Sequence, residues 1–429
     1  MSHAVNPSIQ LAGRSPGSVV MARLDALARF SADNGALTRL YLSTEHKAAA
    51  LQVQAWMQEA GMQGARIDAI GNVVGRYEAV KPGHPALLLG SHIDTVRNAG
   101  KYDGALGVIG AIQAVAELNA AGVRLPFAIE VIAFGEEEGV RFPVALTTSR
   151  AIAGTLDAAA LDAADDDGTS VRQALQQFGC NPFEVPGVPR RKADVLGYVE
   201  LHIEQGPVLE AEGLPLGVVS AIAGASRLAV EVSGMAGHAG TVPMALRQDA
   251  LAAACEMILA IERVGRSTED LVTTVGRIEA LPGAVNVVPG GARFTIDIRS
   301  PSDAGRAAAI AGIQQALETI AGNRKVGVKL APSYAERAAT CAPWLVEQLA
   351  AAVARSGVAP RRLPSGAGHD GLAMVALCPV GMLFVRCAGG ISHHPAEAIL
   401  TADVEIAITV LLDFLRHFAP PAAPSAATH

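Results

Sequence analysis

Short apolar runs bounded by turn residues recur along this chain, and three of them end in histidine or carboxylate clusters. Ala86-Leu87-Leu88-Leu89 reads as a buried strand. It runs into Gly90-Ser91-His92-Ile93-Asp94-Thr95-Val96 and then Gly100-Lys101-Tyr102-Asp103-Gly104. Ala128 to Phe134 is a second such strand, ending in Gly135-Glu136-Glu137-Glu138-Gly139. Leu196-Gly197-Tyr198-Val199-Glu200-Leu201 is a third, ending in His202-Ile203-Glu204-Gln205-Gly206-Pro207. Upstream, Val19, Leu24, Leu27 and Phe30, then Ala48 to Met62, carry helical spacing, and a hairpin is expected around Gly71. Ala105 to Ala120 is rich in small residues with apolar spacing, which predicts a helix packed tightly on a sheet. Strand, helix, strand in this order suggests a doubly wound α/β unit.

From about residue 223 the texture changes. Arg227 to Gly234 alternates like a strand with one exposed face, and Gln248 to Val264 reads as an amphipathic helix. Strands at 271–278 and 292–299, a helix over 303–321 and a strand at 326–330 complete the two-layer pattern of a small α+β, ferredoxin-like domain. The first pattern resumes after Pro343, passes Pro364-Ser365-Gly366-Ala367-Gly368-His369-Asp370-Gly371 and a strand at 381–385, and ends in a helix reaching about Phe418. The expected division is a first domain at 1–222 and 337–418, an inserted domain at 223–336, and a low-complexity, disordered tail at 419–429.

Composition narrows the class. Half of the 429 residues are hydrophobic, yet no long uncharged window predicts a membrane span. A net charge of -7 gives no support for nucleic-acid binding. Five scattered cysteines without a C-x-x-C pair read as free, buried thiols in a reducing cytoplasm, and the N-terminus lacks the pattern of a secretory signal. The glycine-rich 364–371 segment lacks the Lys-Ser/Thr ending of a phosphate loop. Asp165-Asp166-Asp167-Gly168 reads as a solvated turn.

The strand ends carry the candidate chemistry. In open α/β sheets ligands bind beyond the carboxyl ends of the strands. His92 and Asp94 lie two apart on an extended chain and so share a side; alone, the pair reads equally well as a turn cap. Three successive carboxylates at 136–138 repel one another unless cations or protons are present. A metal site gives that triplet a reason, and His202 at a third strand end strengthens it.

Taken together, Gly90–Val96, Glu137-Glu138-Gly139-Val140-Arg141-Phe142, His202–Pro207, His238-Ala239-Gly240-Thr241-Val242-Pro243-Met244 and Ser392-His393-His394-Pro395-Ala396-Glu397 resemble the ureido-acid branch of the two-metal aminoacylase/carboxypeptidase superfamily. That branch contains allantoate amidohydrolase, N-carbamoyl-L-amino acid hydrolase and β-ureidopropionase. The resemblance implies a zinc-peptidase-type catalytic domain with a mixed, mostly parallel sheet, and an inserted lid and dimerisation domain. It implies two divalent ions (Zn or Mn, with Co or Ni possible), held by His92 and His202 on one, Glu138 and His393 on the other, and Asp103 between them. It implies Glu137 as general base, Asp94 orienting His92, and Glu136 as a neighbour outside the pattern. His238 would stabilise an oxyanion in the partner subunit of a homodimer. Gln205, Asn286 and Arg299 would contact a ureido-acid substrate, with Gly368 and His369 lining or supporting its pocket.

Gly100–Gly104, Glu130–Phe134 and Val380–Cys387 look most like allantoate amidohydrolases. The expected reaction is hydrolysis of allantoate to ureidoglycine or ureidoglycolate, ammonia and carbon dioxide. N-carbamoyl-L-amino acid hydrolysis, or the reaction of a β-ureidopropionase, is the alternative within the branch. A non-catalytic binding protein on the same scaffold is disfavoured, because every expected ligand and the general base are present.

Overall fold

A computed structural model describes residues 13–421. The tail expected after residue 418 falls mostly outside the described residues. Contacts divide the chain into two compact units, one comprising 1–220, 341–363 and 369–429, the other 221–340 and 364–368.

The first unit is built on a mixed, mostly parallel sheet. Among the described residues its nine strands include β1 (Gln63–Ile67), β2 (Val73–Tyr77), β3 (Ala86–His92), β4 (Ala128–Phe134), β5 (Val195–Ile203), β6 (Leu216–Ile222) and β7 (Val380–Val385), with the short Ala339–Thr340 and Arg361–Ser365 both pairing with β6. The numbered strands lie side by side as β1-β2-β4-β3-β5-β7-β6. β3 pairs parallel with β4 and β5, and β7 parallel with β5, while β1, β2 and β6 enter antiparallel. All residues of β3 and β7 are buried, as expected for central strands covered on both faces. The covering helices are α1 (Pro16–Leu27), α2 (Thr44–Glu59), α3 (Ala105–Ala120), α4 (Thr147–Ala153), α5 (Val171–Phe178), α6 (Pro343–Arg355) and α7 (Thr401–His417). α3 lies so close to the sheet that a Cβ on Gly107 would stand 2.2 Å from the Leu201 carbonyl oxygen. The small-residue run therefore serves approach, as expected.

The second unit has the anticipated two layers. Strands Gly224–Ser233, Ile278–Leu281, Gly291–Ser300 and Gly327–Glu336 form an antiparallel sheet whose alternate residues face two helices, Ala250–Ser267 and Asp303–Arg324. Val230, Val232, Phe294, Ile296 and Ile298 meet Met257, Ile261, Ile313 and Leu317 in its core. Polar groups line the other strand face, including the Arg227–Asp297 and Arg293–Glu231 pairs.

Some expectations need correction. The 165–168 stretch is the exposed turn expected at Asp166, Asp167 and Gly168, but the Asp165 carboxylate is not solvated: it accepts N–H groups of Asp167 and Thr169 and pairs with Arg141 at 3.1 Å. The cysteines are free but not all buried. Cys341, Cys378 and Cys387 are, whereas Cys180 is half-buried and Cys255 is exposed on a helix face turned away from the second unit's core. Among the described residues, no helix is long and apolar enough to cross a membrane.

Candidate metal centre

β3, β4 and β5 run parallel and end together, so the loops that leave them meet. His92 is the last residue of β3, and its Nδ1 lies 3.1 Å from the carbonyl oxygen of Asp94 and 3.4 Å from that residue's carboxylate. His202, near the end of β5, points Nδ1 at the carbonyl of Ile203, 2.9 Å away. With Nδ1 set against a carbonyl oxygen, each ring turns its Nε2 the other way. Both Nε2 atoms converge on one oxygen of Asp103, Oδ1, at 3.5 Å from His92 and 3.2 Å from His202.

The other oxygen of Asp103 faces a different group. His393 Nε2 stands 3.2 Å from Oδ2 and 3.7 Å from Glu138 Oε1. The ligand-capable atoms of His92, Asp103 and His202 lie within 4.8 Å of one another, as do those of Asp103, Glu138 and His393, and those of His92, Glu137 and Glu138. One carboxylate thus joins two clusters. Gly104, at φ 65°, makes the approach possible, since a Cβ there would stand 2.5 Å from the His92 ring. His393 and Gln205 also hold left-handed backbone, at φ 55° and 57°, a strain that recurs at functional sites.

The electrostatics favour added positive charge. Burial alone would raise Asp103, but the imidazoles of His202, His393 and His92 hold it well below the usual carboxylate range. Glu137 is raised well above that range by burial, with Asp370, Asp94 and Asp103 adding to it and His92 opposing. Glu138 is raised by burial, then by Asp103 and Glu137. Glu136, fully enclosed, is pushed up to about 8 by burial and Asp94, and one of its oxygens accepts the Thr147 N–H. A low-dielectric pocket with this many acids is relieved by cations. The donors are imidazole and carboxylate without thiolate, a set that fits Zn, Mn, Co or Ni.

Of the surrounding groups, Glu200 has no place in the sequence reading. Glu200 sits two residues before His202 and is completely buried, accepting hydrogen bonds from Ser91 Oγ at 2.7 Å and Tyr198 OH at 3.0 Å. A charged residue inside a buried strand was the available signal. His369 packs edge-on against His202 with ring centroids 4.4 Å apart, and burial holds its pKa low. Asp370 beside it is completely buried. Gln205 turns its Nε2 to Asp103 Oδ2 at 2.9 Å and to Ser392 Oγ at 3.1 Å, while its Oε1 is buried without a partner.

The remaining expected contacts lie in the second unit. His238 and Asn286 come together there: strands Gly237–His238 and Val287–Val288 pair, and the Ala239 N–H donates to the Asn286 carbonyl at 2.9 Å. Both residues are exposed. Arg299 directs Nε to Asp297 at 2.8 Å and Nη1 to the Gly366 carbonyl at 3.1 Å. Gly368 is half-exposed.

An α/β sheet whose strand ends gather imidazoles and carboxylates around one aspartate has the donor set of a metal-dependent hydrolase, and its family and relatives make it one that acts on C–N bonds. The chain belongs to peptidase family M20/M25/M40, whose profile matches residues 88–417. It is 40% identical over 378 residues to an N-carbamoyl-L-amino acid amidohydrolase of Geobacillus stearothermophilus, covering 88% of this chain and 92% of that one. It is 41% identical over 427 residues to the allantoate deiminase of Arabidopsis thaliana, covering 92% of this chain and 81% of the relative. The crystal structure of a hydantoinase/carbamoylase-family amidase from Burkholderia multivorans superposes with a TM-score of 0.88 at 32% identity, over 94% of this chain and 97% of that one.

Proposed function

We propose that this chain hydrolyses the terminal ureido group of a carboxylated ureide, with allantoate as the first candidate substrate and two divalent ions as cofactors. The observation that carries the reading is the placement of Asp103, whose Oδ1 faces His92 and His202 while Oδ2 faces His393. His92 and His202 would hold one ion, Glu138 and His393 the other, and Asp103 both. Divalent cations bound there supply charge that stabilises the developing oxyanion and lowers the pKa of water.

Within that field Glu137 takes the proton of the attacking water and returns it to the departing nitrogen. A carboxyl raised by burial suits both halves of that transfer. Asp94 orients His92 and anchors the loop that carries Glu137. His238, exposed on the second unit, would donate to the oxyanion across a homodimer formed through that unit. Asn286 and Arg299 would hold the substrate carboxylate, an Arg fork matching its planar geometry. The free Oε1 of Gln205 offers an acceptor for a ureido N–H, with Gly368 and His369 lining and supporting the pocket. Free thiols at all five cysteines support a cytoplasmic setting.

The relatives named for allantoate and for N-carbamoyl amino acids are equally similar, so a second reading stands beside the first: N-carbamoyl-L-amino acid hydrolysis, on the same ions and carboxylate clamp. Ammonia release from allantoate and from N-carbamoyl-L-methionine by metal-loaded protein separates them. Turnover of the carbamoyl amino acid alone overturns the first choice.

A further inference from the structure

Glu397 stands four residues beyond His393 in a loop without regular structure, yet it is 5% exposed. Its carboxylate does not face solvent but reaches into the loop that carries Asp103. Oε1 accepts the backbone N–H of Tyr102 at 2.8 Å and that of Asp103 at 3.2 Å. Oε2 lies 3.0 Å from the Ser392 hydroxyl, and that hydroxyl lies 3.0 Å from Asp103 Oδ2. The receiving loop is moulded around this side chain: a Cβ on Gly100 would stand 2.3 Å from Glu397 Cδ and Oε1 and 2.4 Å from its Cβ.

We propose that Glu397 is a positioning residue for the hydrolysis, clamping the Asp103 loop to the His393 loop so that each oxygen of Asp103 keeps its own cluster. The inference rests on the reading of Asp103 as the ligand shared by two ions. The clamp has a geometric purpose. Asp103 joins groups from β3, β5 and the loop after β7, and these arrive from segments about three hundred residues apart in sequence. A shared ligand must hold both oxygens in place at once. His202 Nε2 on β5 accepts the Gly104 N–H at 3.1 Å, but among the described residues no group of β3 or β5 accepts the N–H groups of Tyr102 and Asp103. Glu397 accepts both, from the same loop that delivers His393. Ser392 adds a second tie: its single hydroxyl hydrogen faces two carboxylates, while Gln205 Nε2 donates to its oxygen. Whatever Glu397 Oε2 draws of that hydrogen leaves Asp103 Oδ2 more of its charge for a cation.

The test uses the full-length protein, stripped by chelation and titrated with Mn²⁺ by calorimetry, beside kcat and KM at saturating metal. Glu397→Ala should raise the Mn²⁺ Kd roughly ten- to a hundredfold, the range seen when groups supporting metal ligands are removed. Under saturating metal its KM should stay near the parent value. Glu397→Gln keeps an oxygen for the two N–H groups and should recover most of the lost affinity. Gly100→Ala attacks the same clamp from the other side, leaving Glu397 in the sequence but displacing its carboxylate, and should reproduce the weakened binding; it decides the matter should Glu397→Ala fail to fold. Parent-like Mn²⁺ affinity in Glu397→Ala or in Gly100→Ala, with only a lowered melting temperature, overturns the proposal and leaves Glu397 a structural residue. A parent protein that takes up no Mn²⁺, Zn²⁺ or Co²⁺ in the same titration overturns instead the two-cluster reading beneath it.

Discussion

Asp94 holds Glu137 by its backbone: Oδ1 of the aspartate accepts the Glu137 N–H at 3.1 Å, and Oδ2 accepts the N–H of Glu138 at 3.2 Å. The same Oδ1 lies 3.4 Å from His92 Nδ1. A single buried carboxylate therefore sets the first histidine of one cluster and the loop bearing both acids of the site. Sequence reasoning had given Asp94 only the histidine.

Replacing Asp94 by Asn puts an amide donor against one of those N–H groups and weakens the hold on His92. Asp94→Asn should lower kcat roughly 10- to 100-fold and weaken metal binding, while the fold persists. Steady-state kinetics beside metal analysis after dialysis checks it. Activity within about twofold of the parent would show that the acidic loop is fixed by other contacts.

Glu137→Gln preserves size and most contacts but cannot accept a proton. Loss of general-base action should cost at least about a hundredfold in kcat. Because Glu138 rather than Glu137 neighbours His393, bound metal should remain near the parent level. Mass-spectrometric metal content measured on the same preparation separates lost chemistry from lost cation. Unchanged turnover would refute the role given to Glu137.

Gly104→Ala tests the geometry that brings Asp103 to the histidines. The residue sits at φ 65°, and an added Cβ would meet the His92 ring at 2.5 Å. Left-handed backbone costs a non-glycine residue roughly 1–2 kcal/mol, and displacement of the ring adds to it. The variant should melt lower than the parent and lose metal on dialysis. A parent-like melting curve with full metal content would mean that the loop relaxes freely.

Metal removal should itself be visible in stability. Buried Glu137 and Glu138, raised in the absence of cations, disfavour the folded state when ionised, and a bound ion removes that penalty. A cation that binds only the folded chain stabilises it by about 2.7 kcal/mol at a hundred times its Kd. Chelator-treated protein should therefore melt several degrees below metal-loaded protein, with the gap closing on re-addition. Identical melting temperatures would show that the acids are balanced without ions.

Much of this was legible in the chain because the same residues do two things at once. Apolar runs such as Ala86–Leu89 must be buried strands, and the polar residues that follow them at His92, Glu136–Glu138 and His202 then fall at the carboxyl ends of interior strands. Asp103 was readable from its glycine-flanked loop. What escaped was tertiary. Nothing local says that Glu397 reaches back to Tyr102, or that Asp94 accepts from Glu137 and Glu138, since those bonds close only when strands far apart in sequence align. α4 also went unread, its seven residues being mostly polar at the start; β6, Leu216–Ile222, carries a buried apolar run as clear as that of β3 and was legible, though unread. α5 had a fair signal: Val171, Ala174, Leu175 and Phe178 share one buried face, and Ser170 with Gln173 forms a capping box.

Away from the site, His46 should set part of the acid limit of the fold. Its ring is completely buried, stacked on Phe178 with centroids 5.2 Å apart, and its Nδ1 accepts the Leu42 N–H at 3.0 Å. Burial, with Arg39, Lys47 and Arg141 adding to it, lowers its pKa to about 3, so the folded chain keeps it neutral. In the unfolded chain the same imidazole takes a proton near its ordinary value, about 6.5. The folded pKa is the depressed one, so the stabilising contribution is complete above about pH 6.5 and is lost progressively as pH falls toward 3. At pH 5 the loss amounts to about 2 kcal/mol. His46→Asn retains an acceptor for Leu42 but cannot titrate, so it should be less stable than the parent at pH 7 yet fall less steeply between pH 7 and 4.5. Denaturant melts of both proteins across that range check the difference in slope, and parallel curves would remove His46 from the account of acid sensitivity.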